Sequence, residues 1–324
     1  MAFILLIGVP LSALGALAIT TIPLPVHPVL AAGLLIVPLQ DSVRLAAVAL
    51  QKVSHAIIGD GLWFICSAVL FAQTWAEANL SAASISGAWL CAGLFATLCI
   101  AFQVHVKPSF SGLMRWLTTE SEDRVRFAFE ASISAGGALA TAGSVNAFIG
   151  PAANAALRGA STLIGPMNVL LTSLQVAVVP QLRGQDDQSY RNLTKKTLPL
   201  TALVAILAIM VSLFALLAPE KVGQLILGQS WVLVAPVLAI YGAEYVGQAY
   251  LANAMTILRA RIDSRRLLRI RMTLTGTQLL ACILAALITR SAIGVAAASF
   301  TVVWTVAIAS NAWLRWLERD AKRN

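Results

Sequence analysis

Apolar runs of about twenty residues alternate along this chain with short polar connections. A bilayer-spanning helix needs about 20 apolar residues. Ten segments fit: 2–21, 28–50, 55–75, 83–104, 127–149, 152–180, 198–218, 231–258, 272–289 and 292–314. The longest stretch between them covers roughly 105–126. Inside it, Phe110, Leu113, Met114 and Leu117 follow the i, i+3, i+4, i+7 spacing of one helical face. That spacing predicts a short helix lying on the membrane surface. Glu120, Glu122 and Asp123 close the stretch. The pattern predicts an all-α membrane protein with about ten transmembrane helices in two bundles. Residues 1–105 hold spans one to four, 106–126 form a cytoplasmic amphipathic linker, and 127–324 form a six-helix bundle.

Composition agrees with the pattern. Of 324 residues, 59% are hydrophobic and 11% charged, against roughly 25% charged in soluble domains. The mean hydropathy is +0.82. A soluble enzyme, a disordered chain and a coiled coil are excluded on this ground. The net charge of +9 is explained by its distribution rather than by nucleic-acid binding. Twenty of the 23 Lys and Arg residues fall on alternate connections and on the C-terminal end, all on one side of the predicted spans. Only Lys221 and Arg290 fall on the other side, and Arg158 lies inside a span. Such asymmetry marks the cytoplasmic face, so both termini are expected in the cytoplasm. Cys66, Cys91, Cys99 and Cys282 sit in apolar runs without CxxC spacing and read as small buried hydrophobes. His27, His55 and His105 are too scattered to form a metal cluster. Residues 1–22 lack the basic start of a secretion signal.

Charged residues at bilayer depth cost about 2.5–3.5 kcal/mol each on insertion scales, so they face a cavity or a partner. Arg158 is the clearest case. Ser161, Thr162, Gly165, Asn168, Thr172 and Gln175 share its broad helical face, and Gly165-Pro166 predicts a kink at mid-span. An Arg on such a stripe suits an anion such as a phosphate. The competing reading is a structural pair with an acid on a neighbouring helix. Glu130, Ser134, Gly137, Thr141 and Ser144 form a second stripe, which reads as close helix packing, with Glu130 neutralising Arg126 at i−4. Asp41 and Arg44 stand one turn apart as an intrahelical ion pair or a gate, and Asp60 is a further partner for Arg44. Tyr241, Glu244 and Gln248 lie on one face near mid-bilayer. Glu244 is either the partner of Arg158 or a carboxylate that couples to a proton or ion.

No GxSxG, HExxH, P-loop or loop DxD motif is present, so no enzyme activity is expected. A faint internal repeat links Pro10-Leu11-Ser12-Ala13-Leu14 to Pro199-Leu200-Thr201-Ala202-Leu203, with Asp41 and Glu244 in the spans that follow. Transporters are commonly built from such repeats. Under this alignment spans one to four correspond to spans seven to ten, and the first repeat lacks its opening pair.

The segment from Ala155 to Leu170, AALRGASTLIGPMNVL, continued by Val179-Pro180-Gln181-Leu182-Arg183, resembles a region of the O-antigen and teichoic-acid type polysaccharide flippases. These belong to the multidrug, oligosaccharidyl-lipid and polysaccharide exporter superfamily. Leu39-Gln40-Asp41-Ser42-Val43-Arg44, Asp60-Gly61-Leu62-Trp63 and Leu225-Ile226-Leu227-Gly228-Gln229-Ser230-Trp231 fit the same pattern. The likeness spans nearly the whole chain and names a superfamily better than a substrate. It implies two lobes that rock around a cavity and flip a lipid-linked oligosaccharide across a bacterial cytoplasmic membrane. A proton or Na+ gradient would drive the cycle, without a bound cofactor. The implied partners are the bilayer, the lipid-linked glycan and polysaccharide-assembly proteins. Arg158 is the implied anion contact, with Asn168, Gln175, Glu244 and Gln248 beside it as candidate substrate-binding residues. Asp41, Arg44 and Asp60 come from the first-lobe match. Family members commonly carry twelve or more spans, so this chain reads as one with a truncated first lobe. A drug or cation antiporter of the same superfamily is the alternative, and a non-transporting remnant is a third reading.

The charge asymmetry gives a direct expectation. In a variant freed of native cysteines, Lys221→Cys should react with a membrane-impermeant maleimide in intact cells. Arg265→Cys should react only after permeabilisation. The reverse labelling pattern would overturn the orientation.

Overall fold

The computed structural model describes residues 27–50, 52–77, 81–105, 121–182, 190–261 and 264–321. The expected first span, 2–21, and the expected surface helix at Phe110, Leu113, Met114 and Leu117 lie outside them. The described residues are almost entirely helical. The chain divides into two compact units, Met1–Glu120 and Ser121–Asn324.

The first unit contains α1 (His27–Ala49), α2 (Val53–Ala76) and α3 (Ala82–Val104). Val43 and Ala47 of α1, Ala56 of α2, and Ile100 and Val104 of α3 form its buried core. Trp63 of α2 donates its indole N–H to the Trp89 carbonyl at 3.0 Å, and the two rings lie 4.9 Å apart. Ser81 caps α3: its hydroxyl accepts from the Ser84 backbone N–H while the Ser84 side chain reaches back to the Ser81 N–H. This satisfies two of the donors that a helix start leaves open. Cys91 is exposed on α3 rather than buried, so that cysteine departs from the buried-hydrophobe reading.

The second unit runs through α4 (Ser121–Phe148), α5 (Pro151–Leu182), α6 (Tyr190–Leu217), the short α7 (Glu220–Leu227), a 3-10 turn, α8 (Trp231–Ala260), α9 (Ser264–Thr289) and α10 (Ala292–Ala321). Seventeen of the 30 residues of α8 are buried, which makes it the central helix, packed by α5, α6 and α10. An apolar core around Ile164, Trp231, Val234, Val237 and Leu238 fills one part of the unit. A second, around Leu251, Met255, Leu267 and Leu274, fills another. Along α6, Ile206, Ile209, Leu213, Leu216 and Leu217 are exposed, a stripe at i, i+3, i+4 spacing that suits lipid.

Hydrogen bonds tie the other helices to the backbone of α8. Ser212 of α6 donates to the Ala239 carbonyl at 2.8 Å. Trp304 and Asn311 of α10 donate to the Ala243 and Tyr250 carbonyls at 3.1 and 3.3 Å. Thr197 of α6 donates to the Asn253 side chain. Small residues make this approach possible. A Cβ on Gly242 would stand 2.8 Å from the Ala208 carbonyl oxygen and 2.9 Å from the Ser212 nitrogen, both on the α6 backbone.

Six helical segments among the described residues are long and apolar enough to cross a membrane: Ser54–Ala76, Ala83–Val104, Asn192–Leu217, Glu220–Ala260, Ser264–Thr289 and Ala292–Trp316. The chain is thus a multi-pass membrane protein. Three of the ten expected spans, 28–50, 127–149 and 152–180, are helices but are not among the six. Polar residues dilute two of them: Glu130, Ser132, Ser134, Thr141 and Ser144 on α4, and Asn154, Arg158, Ser161 and Asn168 on the first half of α5. Two local expectations also change. Helix α4 starts at Ser121, so the end of the expected linker is its first turn. Helix α5 is continuous through Gly165-Pro166, so of the expected kink or local opening, the opening does not occur there.

Gly242→Ala should lower the thermal midpoint of the purified protein in detergent, since an inserted methyl there meets backbone and costs about 1–3 kcal/mol. Gly276→Ala, in open space on α9, should not lower it, because alanine is the better helix former by about 1 kcal/mol. Equal midpoints for the two variants would contradict the close approach of α6 and α8.

Candidate functional site

Helices α4, α5, α8, α9 and α10 line an open cavity of about 460 Å³ in the second unit. Its wall on α4 is made mostly of small residues, Ser134, Gly137 and Thr141 among them, together with Leu139. A Cβ on Gly137 would overlap the Thr275 methyl of α9, so glycine closes this side of the wall without filling the space. The stripe expected to be packing therefore lines the cavity over these three residues. Helix α5 supplies Asn154, Arg158, Ser161 and Asn168; α8 supplies Tyr241, Tyr245 and Gln248; α9 supplies Arg271, Thr275, Gln278 and Cys282; α10 supplies Ser299. Gln278 donates to Ser299 at 2.7 Å, which joins α9 to α10 along the wall. No aspartate or glutamate is among the lining residues.

Arg158 is exposed and lines the cavity. Its backbone carbonyl accepts from Ser161 at 2.8 Å and Thr162 at 2.9 Å, so the polar side chains beside it are satisfied within their own helix. Among the described residues, no carboxylate lies within ion-pair distance of its guanidinium. The expected pairing with Glu244 is absent from these ion pairs. Glu244 is buried, 5% exposed, and is not among the lining residues. One of its carboxylate oxygens accepts from Gln248 at 3.5 Å, and Oε2 has no hydrogen-bond partner among the described residues. Asn168 and Gln248 line the cavity with Arg158. Gln175 falls on α5, but its side chain lies outside the described residues.

Glu130 behaves differently from its sequence reading. It is 4% exposed and binds arginines of two other helices rather than Arg126. Arg259 Nη2 of α8 donates to its two oxygens at 2.8 and 3.0 Å. Arg271 Nε of α9 donates to Oε1 at 3.2 Å. Arg126 instead pairs with Glu122 at 2.6 Å and donates to Ser264 at 3.2 Å. Sequence reasoning counted Arg259 and Arg271 as topology-setting charges of a cytoplasmic connection. The missed signal was the length of α9, which begins at Ser264 and carries Arg271 two turns inside the helix.

In the first unit, Arg44 Nη2 stands 2.9 Å from Asp41 on the same helix, and its Nη1 stands 3.6 Å from Asp60 on α2. Gln40 donates to the other oxygen of Asp60 at 2.9 Å. Two carboxylates thus share one guanidinium. The three charged side chains are between 34% and 52% exposed, unlike Glu244, its counterpart in the expected repeat. The four groups join α1 to α2.

No protein-family model matches the chain, and no curated protein sequence matches it. Solved structures do. A crystal structure of a MATE mutant is similar with a TM-score of 0.71 at 14% identity, over 99% of this chain and 78% of that one. An inward-facing multidrug resistance MATE family transporter of the MOP superfamily gives 0.69 at 15% identity, over 98% of this chain and 80% of that one. A MOP superfamily transporter from Pyrococcus furiosus, for which a reversed polarity of the binding pocket is described as suggesting a different function, gives 0.69 at 13% identity, over 99% and 77%. The chain has the fold of the MATE transporters of the MOP superfamily.

Proposed function

We propose that this chain is an alternating-access membrane transporter for an anionic amphiphile, best matched by a lipid-linked oligosaccharide carrying a phosphate or diphosphate. One observation carries the reading: Arg158 lies on the wall of a polar cavity without a carboxylate partner among the described residues. An unneutralised arginine at bilayer depth is costly, and a bidentate phosphate contact offsets that cost. The hydroxyls and amides around it, Ser134, Thr141, Asn154, Asn168 and Gln248, suit the hydroxyl-rich part of a glycan. Tyr241 and Tyr245 offer flat faces for a sugar ring. Glu244, buried with one oxygen unpartnered, is the proposed site for a driving proton or Na+. Asp41, Arg44 and Asp60 are proposed as a gating network of the first unit.

A drug or cation antiporter of the same fold is the second reading. Glu244 favours it, as a carboxylate beside the cavity. The lining residues themselves speak for an anion, since none carries negative charge.

Arg158→Ala should reduce export of lipid-linked oligosaccharide from cells or proteoliposomes by about tenfold or more, the worth of one charge-assisted hydrogen-bonded contact. Arg158→Lys should retain part of it. Unchanged export in Arg158→Ala, together with lost drug resistance, would establish the antiporter instead.

A further inference from the structure

Glu130 accounts for only part of Arg271. Arg259 donates to both carboxylate oxygens of Glu130, so the carboxylate is fixed before Arg271 is considered. Arg271 reaches it through Nε alone, at 3.2 Å. A guanidinium carries five N–H donors in a planar fork. The four on Nη1 and Nη2 have no hydrogen-bond partner among the described residues. Arg271 is also on the cavity wall, as Arg158 is. Two arginines facing one glutamate leave the cluster with a net charge of +1.

We propose that Arg271 is a second anion-binding residue of the cavity and that Glu130 is the positioning residue that aims it. The proposal rests on the anionic-substrate reading above and deepens it. Glu130 takes one donor of the fork and leaves the Nη1–Nη2 edge for a bidentate contact with a phosphate group. A flexible arginine would lose side-chain entropy on binding its anion. One already held at Nε loses less, which is how a fixed carboxylate strengthens an anion site while subtracting charge from it. A plain helix clamp would need neither the unused donors nor the position of Arg271 on the wall. The ligand class is a phosphate or diphosphate group, whose oxygens match two forks better than the single charge of a carboxylate does.

Calorimetric titration of the full chain in detergent with inorganic pyrophosphate tests this. Arg271→Lys keeps the charge and removes the fork, and should weaken binding about tenfold. Glu130→Asp keeps the net charge and withdraws the carboxylate, and should weaken binding in the same direction. Binding equal to that of the unmutated chain in either variant would overturn the proposal. Loss of pyrophosphate binding in Arg158→Ala without any effect at Arg271 would overturn this proposal and leave the anionic reading standing. No binding by the unmutated chain would overturn both. A second measurement avoids any folding defect: phenylglyoxal labelling of the unmutated protein, read by mass spectrometry. Pyrophosphate should at least halve the Arg271 adduct, on the order of what an occupied site gives near its dissociation constant. An unchanged adduct would mean that the cluster is only a clamp between helices.

Discussion

Three helices of the second unit meet at one carboxylate. Glu130 on α4 holds Arg259 of α8 and Arg271 of α9, and it is almost fully buried. Removing one partner of such a buried pair typically costs about 3–5 kcal/mol, because a charge is left without an answer. Much of the cavity geometry follows from this point. Beyond this anchor α4 meets α9 closely at Gly137, where a Cβ would overlap the Thr275 methyl, and Ser134, Gly137 and Thr141 line the cavity.

The cavity also separates its charges by sign. Positive groups, Arg158 and Arg271, are on the wall. The acids close to it, Glu130 and Glu244, are buried behind it. Coulomb energies grow steeply as the local dielectric falls, and this ordering leaves positive charge on the wall with no acid among the lining residues. The first unit is arranged the other way, with two carboxylates on one arginine and all three partly exposed. The two units share helices as building material but differ in the sign of the charge that they leave over.

Much of this was legible in the sequence. Apolar runs predicted most of the described helices, because 3.6-residue periodicity and bilayer length constrain sequence strongly, while the polar ends of α4, α6, α9 and α10 extend six to eight residues beyond those runs. Of the polar stripe beginning at Arg158, Ser161 and Asn168 line the cavity with it, and Arg44 lies within ion-pair distance of Asp41 and Asp60. What was not legible depended on which helices become neighbours. Glu130 has Arg126 at i−4 in its own helix, yet two arginines more than a hundred residues away hold it. Local spacing reports only intrahelical partners. Arg271 was hidden for a related reason: a basic run of six arginines looks uniform in sequence, and only tertiary packing turns two of them, Arg259 and Arg271, onto Glu130. At Gly165-Pro166 the helix is not opened, since a proline next to a glycine marks a weak point in a helix but not a compulsory opening.

The contact at Gly242 reaches beyond stability. Helices α6 and α8 touch backbone to backbone there, and Ser212 and Thr197 bind α8 at two levels along its length. Side chains can slide over one another by changing rotamer, but peptide groups in contact have no such freedom. Sliding α6 along α8 would have to break both hydrogen bonds and part the two backbones, so this contact resists shear more than an interface of side chains alone does.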